Sequence, residues 1–365
     1  MAACIVRVEL ADRSYEIAIG PGMLASAGHA LREAGCRRGV IIADTGVLAT
    51  HAATVEGSLR HAGLETLMLP VHRGEASKSV SEAERLWEAM AEAAVDRGTH
   101  VIAVGGGVVG DLAGFVAATF ARGLPVWQVP TTLVAQVDSA IGGKTGINLR
   151  AGKNLVGAFW QPRGVIADID TLRTLPEREY VSGMAEVAKY GMILDELLFE
   201  RLESRAGAIL ARDPVELGAI VRRSAELKAS VVSRDEHERT GLRAILNYGH
   251  TFGHAYENAV GYGTLLHGEA VAIGMADAAE LAVRIGRIPA DLALRQDALL
   301  TALHLPTRLP PGPKPSPEDL VALMARDKKT LHGRLRFILP TRLGEVELVD
   351  GIDSSVVLDV LNRLS

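Results

Sequence analysis

The chain has 365 residues, 48% hydrophobic and 23% charged, a globular composition too long for one hydrophobic core, so two domains are expected. A formal net charge of −5 without a long basic tract argues against a nucleic-acid partner, and two cysteines, Cys4 and Cys36, exclude a disulfide framework. Residues 1–10 lack a signal-peptide layout, so a reducing cytoplasm is the expected location.

From Ile5 to Ile19 apolar and polar side chains alternate, which predicts a hairpin of half-buried strands. Val40–Asp44 is a continuous apolar run ending in an acid, the pattern of a parallel strand covered on both faces. A helix around 52–62, a strand over Thr66–Pro70 and a helix over Ser79–Arg97 follow, then a strand from Val101 into Gly105-Gly106-Gly107. Between Val101 and Phe120 the only charge is Asp111, which imitates a membrane span. The glycines and the β-type start favour a buried strand turning into a buried helix over Asp111–Thr119, so no membrane association is expected. This alternation predicts a doubly wound, Rossmann-like α/β domain.

Glycines 105, 107 and 110 fit G-x-G-x-x-G between strand and helix, where bare backbone N–H groups and a helix N-terminus can approach a pyrophosphate. A tight buried turn without a ligand ranks behind that reading. No acid follows about 20 residues on to hold a ribose; Asp44, ending an earlier strand, is the substitute. After a strand over Val126–Pro130 come Thr131, Thr132 and a glycine-rich loop from Asp138 to Gly146. Its Gly-Lys-Thr is not a P-loop, because Asp138 stands where that motif needs glycine. Lys144, Lys153 and Asn154 are left in surroundings too apolar for a solvated face, which suits a phosphate or carboxylate.

Beyond Val165–Asp168 the pattern turns helical, which places an NAD-binding α/β domain at 1–175 and a mainly α-helical domain at 176–365. Helices are predicted over Arg178–Asp195, Leu197–Ala211, Pro214–Arg234, Ala244–Val260, His267–Ile285, Asp291–Leu303 and Pro317–Arg326, before a strand over Leu335–Pro340. Within this half His250 and His254, four apart, share a helix face, and His267 follows. Imidazole is the common neutral ligand of zinc, but spacing alone pairs His250 with His254 and names no carboxylate. A merely hydrogen-bonded histidine is the plainer alternative in a chain with eleven.

Taken together, Gly105–Asp111, Gln128–Ser139, Gly142–Gly146, Gly152–Asn154, Gly183–Lys189 and Asn247–His254 closely resemble the 3-dehydroquinate synthase family, in order over most of the chain. The resemblance implies conversion of 3-deoxy-D-arabino-heptulosonate 7-phosphate to 3-dehydroquinate, with catalytic NAD, a divalent metal (Zn2+ or Co2+) and a homodimer. It implies Glu186, His250 and His267 as metal ligands, with His254 freed to face the substrate. Asp44, Glu75, Lys78, Gly106, Gly107, Val108, Asp111, Thr131, Thr132 and the turn from Thr171 to Thr174 match NAD-contacting positions, to which Lys144 and Lys153 are added. Arg122, Asp138, Lys144, Lys153, Asn154, Lys189, Lys228, Arg243, Asn247 and His254 match the substrate pocket, with Lys328 or Lys329 closing it. The run Asp235–Glu238 is one residue longer than the family pattern, so Glu236 and Glu238 carry no assigned role.

That chemistry asks for such groups. Oxidising a secondary hydroxyl acidifies the adjacent C–H, phosphate leaves by elimination, the ketone is reduced again, the ring opens and an aldol closes the carbocycle. Two imidazoles and a carboxylate leave a metal position open to substrate oxygens. Lys144, Lys153, Arg122 and Asn154 offset the acidic net charge around a dianionic substrate. The rivals are an NAD- and metal-dependent polyol dehydrogenase, which would accumulate NADH, a sister cyclase taking an amino analogue or another sugar phosphate, and a catalytically silent nucleotide-binding regulator.

Overall fold

The computed structural model describes residues 3–261, 263–311, 315–326 and 335–362. Contacts divide the chain into two units: Met1–Leu175 with Leu217–His237, and Pro176–Glu216 with Glu238–Ser365.

The first unit runs β1 (Cys4–Val8), β2 (Tyr15–Gly20), α1 (Ala27–Glu33), β3 (Arg38–Asp44), α2 (Ala53–His61), β4 (Glu65–Val71), α3 (Val80–Glu92), β5 (Thr99–Gly105), α4 (Gly107–Thr119), β6 (Val126–Pro130), β7 (Lys144–Leu149), β8 (Gly152–Phe159) and β9 (Gly164–Asp168). Seven strands form one sheet in the order β1-β2-β9-β6-β5-β3-β4, parallel except where β1 meets β2. The apolar run of β3 has a direct cause. Val40 and Ile42 enter one core with Leu86 and Met90 of α3 and Leu112 and Val116 of α4, while Ile41 and Ala43 enter another with Leu31 of α1 and Val55 and Leu59 of α2. Both faces are covered, so between Arg38 and Asp44 no position of this strand is left for a polar residue.

Three expectations for this unit are corrected. The helix after the glycine run begins at Gly107 rather than Asp111, so the glycines form its first turn. The stretch read as a loop over Asp138–Gly146 runs into β7, which pairs antiparallel with β8 in the register Lys144↔Phe159 to Leu149↔Gly152. Glycine hid these strands: a Cβ at Gly157 would lie 2.2 Å from the Thr145 carbonyl oxygen, so the close pairing forbids the side chains that usually announce a strand. The third concerns α7 (Pro214–Arg234), whose residues from Leu217 pack with the first unit although their helical pattern suggested the second.

The second unit holds α5 (Glu177–Leu194), α6 (Glu196–Leu210), α8 (His250–Val260), α9 (His267–Arg284), α10 (Ala290–Ala302), α11 (Pro317–Arg326), the hairpin β10 (Arg336–Arg342) with β11 (Glu345–Asp350), and α12 (Ser354–Leu361). The single helix expected over Ala244–Val260 is two pieces. A 3₁₀ turn over Leu242–Asn247 ends before Gly249, whose φ of 78° breaks the helical path, and α8 starts at His250. Helix α9 then packs with its backbone nearly touching its neighbours. A Cβ at Gly274 would sit 2.1 Å from the Gly249 carbonyl oxygen, and one at Gly268 only 1.8 Å from that of Ser182 in α5. Among the described residues no helix is long and apolar enough to cross a membrane.

Candidate active site

In the second unit three helices deliver the side chains. Glu186 and Lys189 sit one turn apart on α5, both about 1% exposed, and their side chains pair. Helix α8 begins with His250, and α9 begins with His267. The Nε2 atoms of His250 and His267 lie 3.6 and 3.5 Å from the same oxygen, Glu186 Oε1. At His250 the other ring nitrogen, Nδ1, is 3.0 Å from the Tyr248 carbonyl oxygen, which accepts its proton and turns the Nε2 lone pair toward Glu186. Lone pairs and a carboxylate oxygen at such distances repel unless a proton or a metal ion lies between them. Burial lowers the proton affinity of His267, but hydrogen bonds and charge from Glu186 and Glu257 outweigh it and raise its pKa to about 10. The cluster therefore attracts positive charge, and its one carboxylate and two imidazoles are the donors a catalytic zinc or cobalt ion takes.

His254 faces the same region. Its ring centroid is 5.5 Å from that of His250 and 6.3 Å from that of His267. A second set of ligand atoms, from His254, Glu257 and His267, also lies within 4.8 Å of one another, as the atoms of Glu186, His250 and His267 do. Arg243 is almost fully buried, with Nε 3.8 Å from Glu238, while Asn247 closes the 3₁₀ turn ahead of α8. Lys328 and Lys329 lie outside the described residues.

In the first unit the expected NAD-contacting positions collect at the carboxyl ends of adjacent strands, where open α/β sheets take their ligands. Asp44 ends β3, and its Oδ2 lies 3.1 Å from where a Cβ of Gly105 would be. Gly106 caps α4, Gly107 and Val108 form its first turn, and Thr132 packs against Gly106. The Thr131 N–H donates to the Gly105 carbonyl at 2.9 Å. Gln136 Nε2 donates to the Pro130 and Asp168 carbonyls and to Thr171 Oγ1, tying the ends of β6 and β9 to the turn that ends in Thr174. Among the described residues Ser139 Oγ is buried without a hydrogen-bond partner, and it would lie 2.9 Å from a Cβ of Gly107, so this hydroxyl faces the start of α4. An anionic pyrophosphate matches that group and the helix N-terminus.

Beside it Lys78 Nζ donates to Asp111 Oδ2 and Asn154 Oδ1, both at 2.6 Å, and lies 3.7 Å from Glu75, which accepts from Asn148. Burial raises the Asp111 pKa, and the Lys78 ammonium opposes that rise. Lys228 of α7 donates to the Asp138 carbonyl and carboxylate at 2.6 and 2.7 Å. Lys144 and Lys153 stand on β7 and β8. Arg122 and Asn154 hold positive φ values of 68° and 53°, conformations that non-glycine residues adopt at some cost. Glu236 accepts from Arg13 and Gln161 within the first unit. Glu238 is the member of the acidic run placed beside Arg243.

Sequence reasoning missed Ser139 and Glu257. Glu257 follows His254 by three, so the i, i+4, i+7 stripe from His250 was the available signal. Ser139 lay inside a matched motif but carried no pattern of its own.

The pattern described as "3-dehydroquinate synthase N-terminal" matches residues 68–182, and "3-dehydroquinate synthase C-terminal" matches 183–330. A "3-dehydroquinate synthase" of Rhodopirellula baltica is 48% identical over 97% of this chain and 95% of its own. Among solved structures, 2-deoxy-scyllo-inosose synthase complexed with carbaglucose-6-phosphate, NAD+ and Co2+ superposes with a TM-score of 0.89 at 29% identity, over 99% of this chain and 100% of that one. The 2-epi-5-epi-valiolone synthase of Streptomyces hygroscopicus, with NAD+ and Zn2+ bound, gives 0.88 at 28%, over 98% and 97%. Matched through both halves of the pattern and by near-full-length relatives, the chain belongs to the 3-dehydroquinate synthase family.

Proposed function

We propose that this enzyme converts 3-deoxy-D-arabino-heptulosonate 7-phosphate to 3-dehydroquinate and phosphate, a carbon–oxygen lyase reaction of the shikimate pathway and aromatic amino acid biosynthesis. The observation that carries it is the convergence of two imidazole Nε2 atoms on one buried carboxylate oxygen. The names and near-complete coverage of the relatives support the substrate assignment. When bound, NAD takes up and returns one hydride, and a divalent ion, zinc or cobalt, polarises the substrate oxygens. The NAD+, Co2+ and Zn2+ in the two solved structures support this cofactor pair.

The chain's own residues then divide the work. Glu186, His250 and His267 hold the ion, and His254 beside them donates or relays a proton at the departing phosphate. Asp44 accepts from the ribose, while Gly106, Gly107 and Val108 leave the α4 N-terminus open to the pyrophosphate, where Ser139 adds a hydroxyl. Thr131, Thr132, Thr171 and Thr174 line the carboxyl edge of the sheet. Glu75, Lys78 and Asp111 form a fixed polar frame beside Asn154. Lys144, Lys153 and Arg122 neutralise phosphate and carboxylate, as do Lys189 and Arg243, and Asn247 orients hydroxyls. Lys228 fixes Asp138. Lys328 or Lys329 completes the anion contacts.

We further place the enzyme in the cytoplasm as a homodimer. The free thiols of Cys4 and Cys36 support the reducing compartment. The sister-cyclase readings rest on neighbours at 28–29% identity, below the 43–49% of relatives named 3-dehydroquinate synthase. The test supplies the heptulosonate phosphate, zinc and substoichiometric NAD to the purified protein. Many phosphates released per NAD with no NADH accumulating is the expected result. NADH formed in step with NAD, without phosphate, would establish a dehydrogenase instead.

A further inference from the structure

His250, His254 and Glu257 lie at i, i+4 and i+7 on α8, so one stripe of that helix faces the start of α9. Of the two imidazoles aimed at Glu186, His250 has its Nδ1 proton accepted by the Tyr248 carbonyl at 3.0 Å. At His267, which begins its helix, Nδ1 instead faces Glu257 Oε2 at 3.4 Å, the long end of a hydrogen bond, while Nε2 faces Glu186 at 3.5 Å. Glu257 is 9% exposed, and a carboxylate is rarely buried without a charged or proton-donating partner to offset its desolvation.

A neutral imidazole carries one N–H and one lone pair, and the hydrogen bond at one nitrogen decides which atom serves a metal. We propose that Glu257 is a positioning residue: it receives the Nδ1 proton of His267 and so presents Nε2 to the ion shared with Glu186 and His250. This rests on the reading of those three residues as metal ligands. In the rival cluster of His254, Glu257 and His267, the His267 nitrogen at Glu257 is Nδ1, 3.4 Å from Oε2, so an ion held there would be taken through Nδ1. The same neutral ring cannot donate from Nδ1 to Glu257 and ligate through Nδ1 at once, so the two arrangements predict different protonated nitrogens.

The experiment is zinc affinity by chelator competition on the purified full-length protein, for wild type, Glu257→Ala, Glu257→Gln and His254→Ala. The expected result is one zinc per chain, weakened about 10- to 100-fold in Glu257→Ala. Glu257→Gln, whose side-chain oxygen still accepts the proton, recovers most of that loss, and His254→Ala binds zinc as wild type does. Equal affinity in wild type and Glu257→Ala overturns the positioning role alone, as does a loss in His254→Ala matching that in Glu257→Ala. A wild-type chain that binds no zinc overturns the ligand reading as well. If Glu257→Ala does not fold, the nitrogen-15 spectrum of zinc-loaded wild type and Glu257→Gln decides: a protonated Nδ1 on His267 is expected in both, and a protonated Nε2 refutes the proposal.

Discussion

Replacing Gly268 with alanine tests how the second unit brings α5 and α9 together. A Cβ there would stand 1.8 Å from the Ser182 carbonyl oxygen, 2.6 Å from its carbon and 2.8 Å from its hydroxyl. The contact is backbone, so no side chain can swing away, and the two helices must part by roughly 1.5 Å to restore ordinary contact. Overpacking of this kind costs about 1–3 kcal/mol, and the Gly268 N–H bond to Ser182 Oγ, 3.1 Å long, is worth about 1 kcal/mol more. The better helix propensity of alanine returns at most about 1 kcal/mol. A net loss of about 2–3 kcal/mol is expected in urea unfolding. His267 precedes Gly268 and moves with it, and zinc sites tolerate only about 0.2 Å of ligand displacement, so zinc affinity falls more than tenfold. Gly207, on α6 with open space around it, is the control, and alanine there should add about 0.5–1 kcal/mol. Unchanged stability and zinc affinity in Gly268→Ala would refute the claim that this backbone contact sets the site.

Lys78→Met removes the cation from a pair whose carboxylate, Asp111, keeps 21% side-chain exposure, so the loss is about 2 kcal/mol rather than the full cost of a buried unpaired charge. The double variant with Asp111→Leu should recover most of it in urea unfolding; equal loss in both would contradict the pairing. Burial takes His100 down to about 4 from an ordinary 6.5, with the nearby Arg163 charge acting the same way, and its Nδ1 accepts from Trp127 Nε1 at 3.2 Å. The folded value lies below the unfolded one, so this stabilisation is complete above pH 6.5 and is lost as pH falls from 6.5 toward 4, by about 3 kcal/mol at most. Denaturant titrations of wild type and His100→Gln across that range should diverge in slope, and parallel curves would contradict the account. His267→Ala should abolish stoichiometric zinc, measured by metal analysis after dialysis, and retained zinc would remove His267 from the ligand set.

Much of the first unit was legible because parallel strands buried on both faces leave a plain signature. Val40–Ala43 and Val101–Val104 carry no polar residue, and the helices that cover them alternate with the strands. The pair β7–β8 was not legible, since Gly146 and Gly157 occupy positions where side chains would have shown a period of two. The break at Gly249 was hidden for a related reason: helical periodicity continues across one residue of positive φ. Helical pattern also says nothing about which neighbours a helix chooses, and α7 from Leu217 onward groups with the first unit. At the candidate site, Glu186 and His250 are separated by more than sixty residues, and no spacing rule joins them. The family resemblance nominated the pair, and the geometry shows the route, with the Tyr248 carbonyl turning one ring and Glu257 facing the other.

The central claim is that the cation belongs to Glu186, His250 and His267. Anomalous scattering at the zinc edge, from crystals of the zinc-loaded protein, locates the ion independently of activity. The account predicts one peak about 2.0–2.2 Å from a Glu186 oxygen and from Nε2 of both His250 and His267. A peak among His254, Glu257 and His267, with Glu186 out of reach, would contradict it.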